Sequence, residues 1–158
     1  MRMIWLGAFF ALLLPACAVA ARPLLTRPEQ ILYARLVRAF PGHITLAQVS
    51  LSQLLVVDRA AAHRDARSTA NGFRQLVADF VLCAPDFTAV AVVELDDRSH
   101  NHPAQRERDS RKDQFLQAAG IKVIRVAVSD IPSEAALKAL VAVMPVAPSP
   151  TLLARRVG

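Results

Sequence analysis

The run LVADFVLCAPDFTAVAVVELD, residues 76–96, is where the secondary structure reads most directly. Leu76 to Cys83 and Ala89 to Leu95 are rich in β-branched and large apolar residues. Ala84-Pro85-Asp86-Phe87-Thr88 between them carries turn formers, and the whole predicts a β-hairpin. The second run is continuously apolar, as expected of a strand covered on both faces. A turn centred between Asp86 and Phe87 places Asp79 opposite Glu94. Glu94 and Asp96 stand two apart and therefore point to one face. Three carboxylates are thus expected at one end of the sheet, where an apolar strand runs out.

Like charges at that spacing raise one another's pKa, and a divalent cation removes the conflict. Carboxylate oxygens suit Mg²⁺ or Mn²⁺, with water filling the remaining positions. An ion so held can activate a water and stabilise charge on a phosphoryl group. Asp79 and Glu94 are the expected ligands, with Asp96 beside them. The competing reading is a set of surface carboxylates bonded to Arg98 or Arg125. Several nearby residues are candidates for the same site. Glu29 offers a fourth carboxylate, although a helix cap alone would account for it. His100 and His102 follow the cluster closely, and either could shuttle protons near neutral pH. Lys112 projects from the next helix and can orient water or phosphate. Arg125 is expected inward on the last strand, paired with a carboxylate or a phosphate.

Outward from the hairpin, Pro103 opens a helix with Phe115, Leu116 and Ala119 on its buried side, and Gly120 closes it. Ile121 to Val128 alternates as a strand, Ser129 to Pro132 turns, and Glu134 to Met144 forms a last helix. Strand 89–95, helix 103–119 and strand 121–128 make a βαβ unit with parallel strands, so the sheet is mixed. Toward the N-terminus, Thr26-Arg27-Pro28-Glu29 reads as a capping box. Ile31, Leu32, Leu36, Val37 and Phe40 recur at helical spacing until Pro41-Gly42. His43 to Val49 reads as a strand, Leu51 to Val57 is ambiguous, and Arg59 to Arg67 reads as helical. The expected class is α/β (α+β), with a mixed sheet flanked by helices.

The chain has 158 residues, which allows one domain, and its net charge is +6. Basic charge comes mostly from arginine, whose planar fork suits phosphate and carboxylate. A polyanionic partner and a merely solvated basic surface are both consistent with that balance. Cys17 falls in the N-terminal apolar segment and Cys83 stands alone in the domain, so no internal disulfide is expected and no Cys/His zinc spacing exists. Ile4 to Ala21 carries no charge and reads as an N-terminal hydrophobic helix, the contact with a membrane. As a cleaved signal peptide it would use Ala18-Val19-Ala20 and export the domain to the periplasm. As an uncleaved single-pass anchor in the inner membrane, its flank of Arg22, Arg27, Arg35 and Arg38 would keep the domain cytoplasmic. The expected organisation is a targeting segment over 1–21, a domain over 22–144 and a disordered tail over 145–158.

Asp79-Phe80-Val81, then Glu94-Leu95-Asp96-Asp97-Arg98-Ser99-His100, then Asp109 with Lys112, Gly120-Ile121 and Ile124-Arg125 together resemble the DUF2726 family. The resemblance runs from about Leu24 to Val141, and places the chain near the PD-(D/E)XK, restriction-endonuclease-like nucleases. It implies an αβββαβ core with a metal at the sheet edge. It also implies metal-dependent cutting of nucleic acid, DNA first, by a domain tethered to the membrane. Asp79 matches the aspartate of the superfamily motif, Glu94 its second acidic position, and Glu29 the acidic residue of the first helix. The motif lysine, two residues after Glu94, is Asp96 here. Lys112 from the helix or His100 would have to take that role. Otherwise the domain is a catalytically inactive module that binds nucleic acid or protein.

Overall fold

The computed structural model describes residues 20–57, 66–96 and 103–142. The chain order is α1 (Arg27–Ala39), β1 (Ile44–Ser50), α2 (Leu51–Leu54), α3 (Ala66–Phe73), β2 (Val77–Cys83), β3 (Ala89–Asp96), α4 (Pro103–Ala118), β4 (Lys122–Ala127) and α5 (Glu134–Ala142). The four strands form one sheet in the order β1-β2-β3-β4. β1/β2 and β2/β3 are antiparallel, and β3/β4 is parallel. The architecture is therefore α+β, with a mixed four-stranded sheet between helices.

The hairpin adopts the register expected from its turn. Phe80 faces Val93, Val81 faces Val92 and Leu82 faces Ala91. A bulge after Leu82 then pairs Cys83 with Ala89. Five residues close the loop, with Phe87 in the left-handed region at φ 65° and the Asp86 carboxylate accepting the Thr88 N–H at 2.9 Å. At the end of α4, Gly120 takes φ 70°. The Ile121 N–H reaches Leu116 O and the Gly120 N–H reaches Gln117 O, the double bond of a Schellman stop. At the start of α1, the Glu29 carboxylate accepts the Thr26 N–H at 2.5 Å.

Each face of the sheet has its own core. On one face Phe80, Ala91, Val93, Ile124 and Val126 pack beneath Leu32, Leu36 and Ala39 of α1 and Leu137 of α5. Arg35 donates to the carbonyls of Ile131 and Pro132, and Arg38 pairs with Glu134 at 2.5 Å. These bonds fix α1 to the start of α5. On the other face Val81, Cys83 and Val92 pack against Leu116 of α4, Phe73 of α3 and Leu51 of α2. Phe73 and Phe115 meet edge to face at 5.3 Å. A Cβ on Gly72 would stand 2.9 Å from Phe115 Cζ, so the glycine is what lets α3 approach α4 this closely.

Some elements differ from expectation. The ambiguous stretch after β1 is the single turn α2, started by Ser50, whose hydroxyl accepts the Ser52 N–H. α3 carries Asn71-Gly72, poor helix formers, and holds its shape by packing on α4. Most of Arg59 to Arg67, the N-terminal apolar segment through Val19, and the tail beyond Ala142 lie outside the described residues. Among the described residues no helix is long and apolar enough to cross a membrane.

Phe80 is fully buried and touches the α1 face at its centre. Phe80→Ala should lower the unfolding free energy by about 3–5 kcal/mol, read by urea titration. A cost under about 1 kcal/mol would mean that the centre of that core lies elsewhere.

Candidate active site

The end of the hairpin brings Asp79 and Glu94 together, one step beyond the Phe80–Val93 pair. Asp79 accepts the Leu95 N–H at 2.8 Å, which locks its carboxylate across the strand gap. Glu94 is 3% exposed. Above it stands Lys112, also buried, whose Nζ lies 2.6 Å from Glu94 Oε2 and donates to Val77 O at 3.1 Å. Lys112 and Leu116 are the buried residues of α4 and stand one turn apart on one stripe. The helix thus docks with a lysine on its core face. Lys112 was expected at this site, to orient water or phosphate or to stand in for the motif lysine; its burial, on one stripe with Leu116, was not expected.

Charge in this site is only partly matched. Glu94 Oε2 has the ammonium, while Glu94 Oε1 is buried with no donor. Burial pushes the Glu94 pKa up to about 7, opposed by Lys112 and reinforced by the Asp79 charge. Burial also raises Asp79, against the Leu95 N–H and Lys112, which lower it, and with Glu29, which raises it further. Asp79 and Glu94 are the carboxylates of this site that could hold a cation.

Glu29 enters from α1 on the opposite layer. Its second oxygen accepts Gln48 Nε2 at 3.0 Å, a bond the helix cap does not require. Gln48 lies across from Asp79, between the pairs Ala47–Phe80 and Val49–Ala78, with φ 54° in mid-strand. For a residue that is neither Gly, Asn nor Asp, that conformation costs about 1–2 kcal/mol. No Gly, Asn or Asp at position 48 marks it in advance.

The remaining candidates fall differently. Asp96 follows Glu94 on the strand and borders an open polar groove with Arg106, Asp109, Asp113 and Arg125. Residues two apart on a strand are separated by about 6.6 Å, so Asp96 is carried past the Asp79–Glu94 pair. Among the described residues no three His, Cys, Asp or Glu side chains form a metal-holding group. Arg125 faces Glu94 across the parallel pair and donates to Asp113 at 2.8 and 2.9 Å, its side chain one-third exposed. It is a carboxylate-paired arginine at the rim, where an inward position was expected. Residues are added or withdrawn from the faces by strand alternation, and Arg125 alternates with the buried Ile124 and Val126. Arg98, His100 and His102 lie outside the described residues.

The family described as "Protein of unknown function (DUF2726)" matches residues 21–144. No curated protein and no solved structure matches the chain.

The buried pair makes stability depend on pH. With its folded pKa raised above the unfolded value, Glu94 binds more protons folded than unfolded between about 4.5 and 7, so its contribution to stability falls as pH rises through that window. Lys112→Met would leave an uncompensated buried carboxylate, costing about 3–5 kcal/mol at pH 8. The cost should shrink at pH 5, where Glu94 is protonated. Denaturant titrations at the two pH values read this directly, and an equal cost at both would contradict the assignment.

Proposed function

We propose that this chain, which belongs to the DUF2726 family, is a metal-dependent phosphodiesterase that cuts nucleic acid, with DNA the first substrate to test. The supporting observation is the meeting of Asp79, Glu94 and Lys112 from three elements at one sheet end, with Glu94 Oε1 buried and without a donor. The order of the elements, α1-β1-β2-β3-α4-β4 with α2 and α3 as an insertion, accommodates the restriction-endonuclease-like core that we infer for it.

In this reading Asp79 and Glu94 hold Mg²⁺ or Mn²⁺. The ion would supply an activated water and neutralise charge on the phosphate. Lys112 supplies the ammonium that the superfamily pattern puts at position 96. It arrives from α4 with its stem buried and its Nζ already at the carboxylate. With a cation at Glu94, Lys112 would be free to orient water or to stabilise the phosphate in the transition state. Arg125 can serve phosphate only by exchanging Asp113. His100 is retained as a proton-shuttle candidate. The N-terminal apolar segment, 4–21, is the proposed membrane contact, holding the domain on the cytoplasmic side of the inner membrane, or exporting it if cleaved.

One observation favours a second reading. The 2.6 Å contact between Lys112 and Glu94 already gives one carboxylate a counter-charge, as a silent nucleic-acid-binding or protein-interaction module would require.

Incubation of the purified chain with plasmid and single-stranded DNA, in Mg²⁺, Mn²⁺ or EDTA, separates the two. Cutting should need the metal, vanish in Glu94→Ala and fall about a hundred-fold or more in Lys112→Met. DNA that is bound but left intact under every metal condition would leave the silent module standing.

The pH profile carries a separate expectation. A ligand must be deprotonated, so metal-dependent cleavage should rise as pH passes through about 7, where Glu94 gives up its proton. A rate that is flat from pH 6 to 8 at sub-saturating metal would remove Glu94 from the metal.

A further inference from the structure

α1 buries one stripe, Leu32, Leu36 and Ala39, against the sheet. At about 3.6 residues per turn, the opposite side carries Arg27, Gln30, Ile31, Ala34, Val37 and Arg38. Ile31 and Val37 are 48% and 43% exposed, which a water-facing helix surface does not require. No acid stands on that side. The acid of α1, Glu29, is turned away to the Thr26 N–H and the Gln48 amide. Leu24, almost wholly exposed, and the exposed Arg22 lead into the helix. α5 packs in the same layer and adds the exposed Lys138 and Leu140, while its Glu134 is taken by Arg38. Arg22, Arg27 and Lys138 pair with no acid among the described residues.

The chain that precedes this face says what covers it. Ile4 to Ala21 holds no charged residue. From Ala21 to Arg27, where α1 begins, six residues span at most about 20 Å. A bilayer that takes up the apolar segment is therefore within reach of α1. We propose that the outer side of α1, with Lys138 and Leu140 of α5, is a docking face that lies on an anionic lipid bilayer. This rests on the reading of 4–21 as the membrane contact and is independent of the metal-dependent reading.

The chemistry suits that partner. Arginine and lysine meet lipid phosphates, and exposed aliphatic side chains enter the boundary between headgroups and acyl chains. A nucleic-acid backbone would use the cations but gain nothing from Leu24, Ile31 and Val37. A second copy of the same face would set cation against cation. Docked in this way, the sheet lies over the bilayer with α1 beneath it, and α4, on the other face, is turned to water.

The test uses the full chain with Cys17→Ser, carrying a nitroxide on Ala34→Cys or on Gln117→Cys of α4. Cys83 is buried and takes no label. Each protein is reconstituted in phosphatidylcholine vesicles with and without phosphatidylglycerol, and collision with a water-soluble nickel chelate is measured. On phosphatidylglycerol vesicles position 34 should be shielded and position 117 open. Arg22→Gln, Arg27→Gln and Lys138→Gln should each lower the ratio of docked to free domain about five-fold. Val37→Asp should release the face. These positions are exposed, so the Tm should stay in place, and the comparison of the two lipids needs no such variant. Equal access at 34 and 117 on vesicles that carry the chain overturns the docking alone. Equal shielding on both lipids overturns the anionic partner. Shielding by duplex DNA without vesicles makes this a nucleic-acid face and overturns the proposal. A chain that does not float with vesicles overturns the docking together with the reading of 4–21.

Discussion

The contact between Lys112 Nζ and Glu94 Oε2 organises this end of the molecule. α4 is polar along most of its length, and Lys112 and Leu116 are the residues it buries. Leu116 contributes apolar contact of about 1.5–3 kcal/mol, but it carries no directional information. The ammonium does, because it must find both Glu94 and the Val77 carbonyl. Desolvating two charges offsets most of their attraction, so such a pair adds little net stability while making a misplaced helix expensive. It fixes the height and rotation of α4 over β3.

The acidic end draws on both layers that sandwich the sheet. Lys112 comes from the helix on one face, and Glu29 from the helix on the other. A flat, regularly alternating sheet would keep them apart. Here β1 and β2 change face together at Gln48 and Asp79, and the strand edge opens to both sides. The left-handed Gln48 is a local cost that the surrounding β1–β2 pairing over-determines.

Electrostatically the site is unfinished. Burial raises both Asp79 and Glu94, and Lys112 satisfies one oxygen of one of them. A domain selected for stability alone would replace such a group with apolar side chains. The proposed divalent cation would supply charge that this site lacks.

Much of the scaffold was legible in the sequence because its signals are local. Pro85-Asp86 and the apolar runs around them set the hairpin and its register. Thr26 with Glu29 started α1, Gly120 stopped α4, and the alternation of 121–128 marked β4. The facing of Asp79 and Glu94 followed from the turn alone. Three things required the folded chain. Lys112 looks like any charge on a polar helix until α4 is laid on the sheet. Asp96 shares a face with Glu94, yet the rise of the strand carries it away to the groove beside Arg125. Gln48 becomes left-handed because two strands must exchange faces against two different cores. Local periodicity determines which way a side chain points from its own element. The distance between side chains of different elements depends on how helices dock and strands twist, and that was decided only by packing.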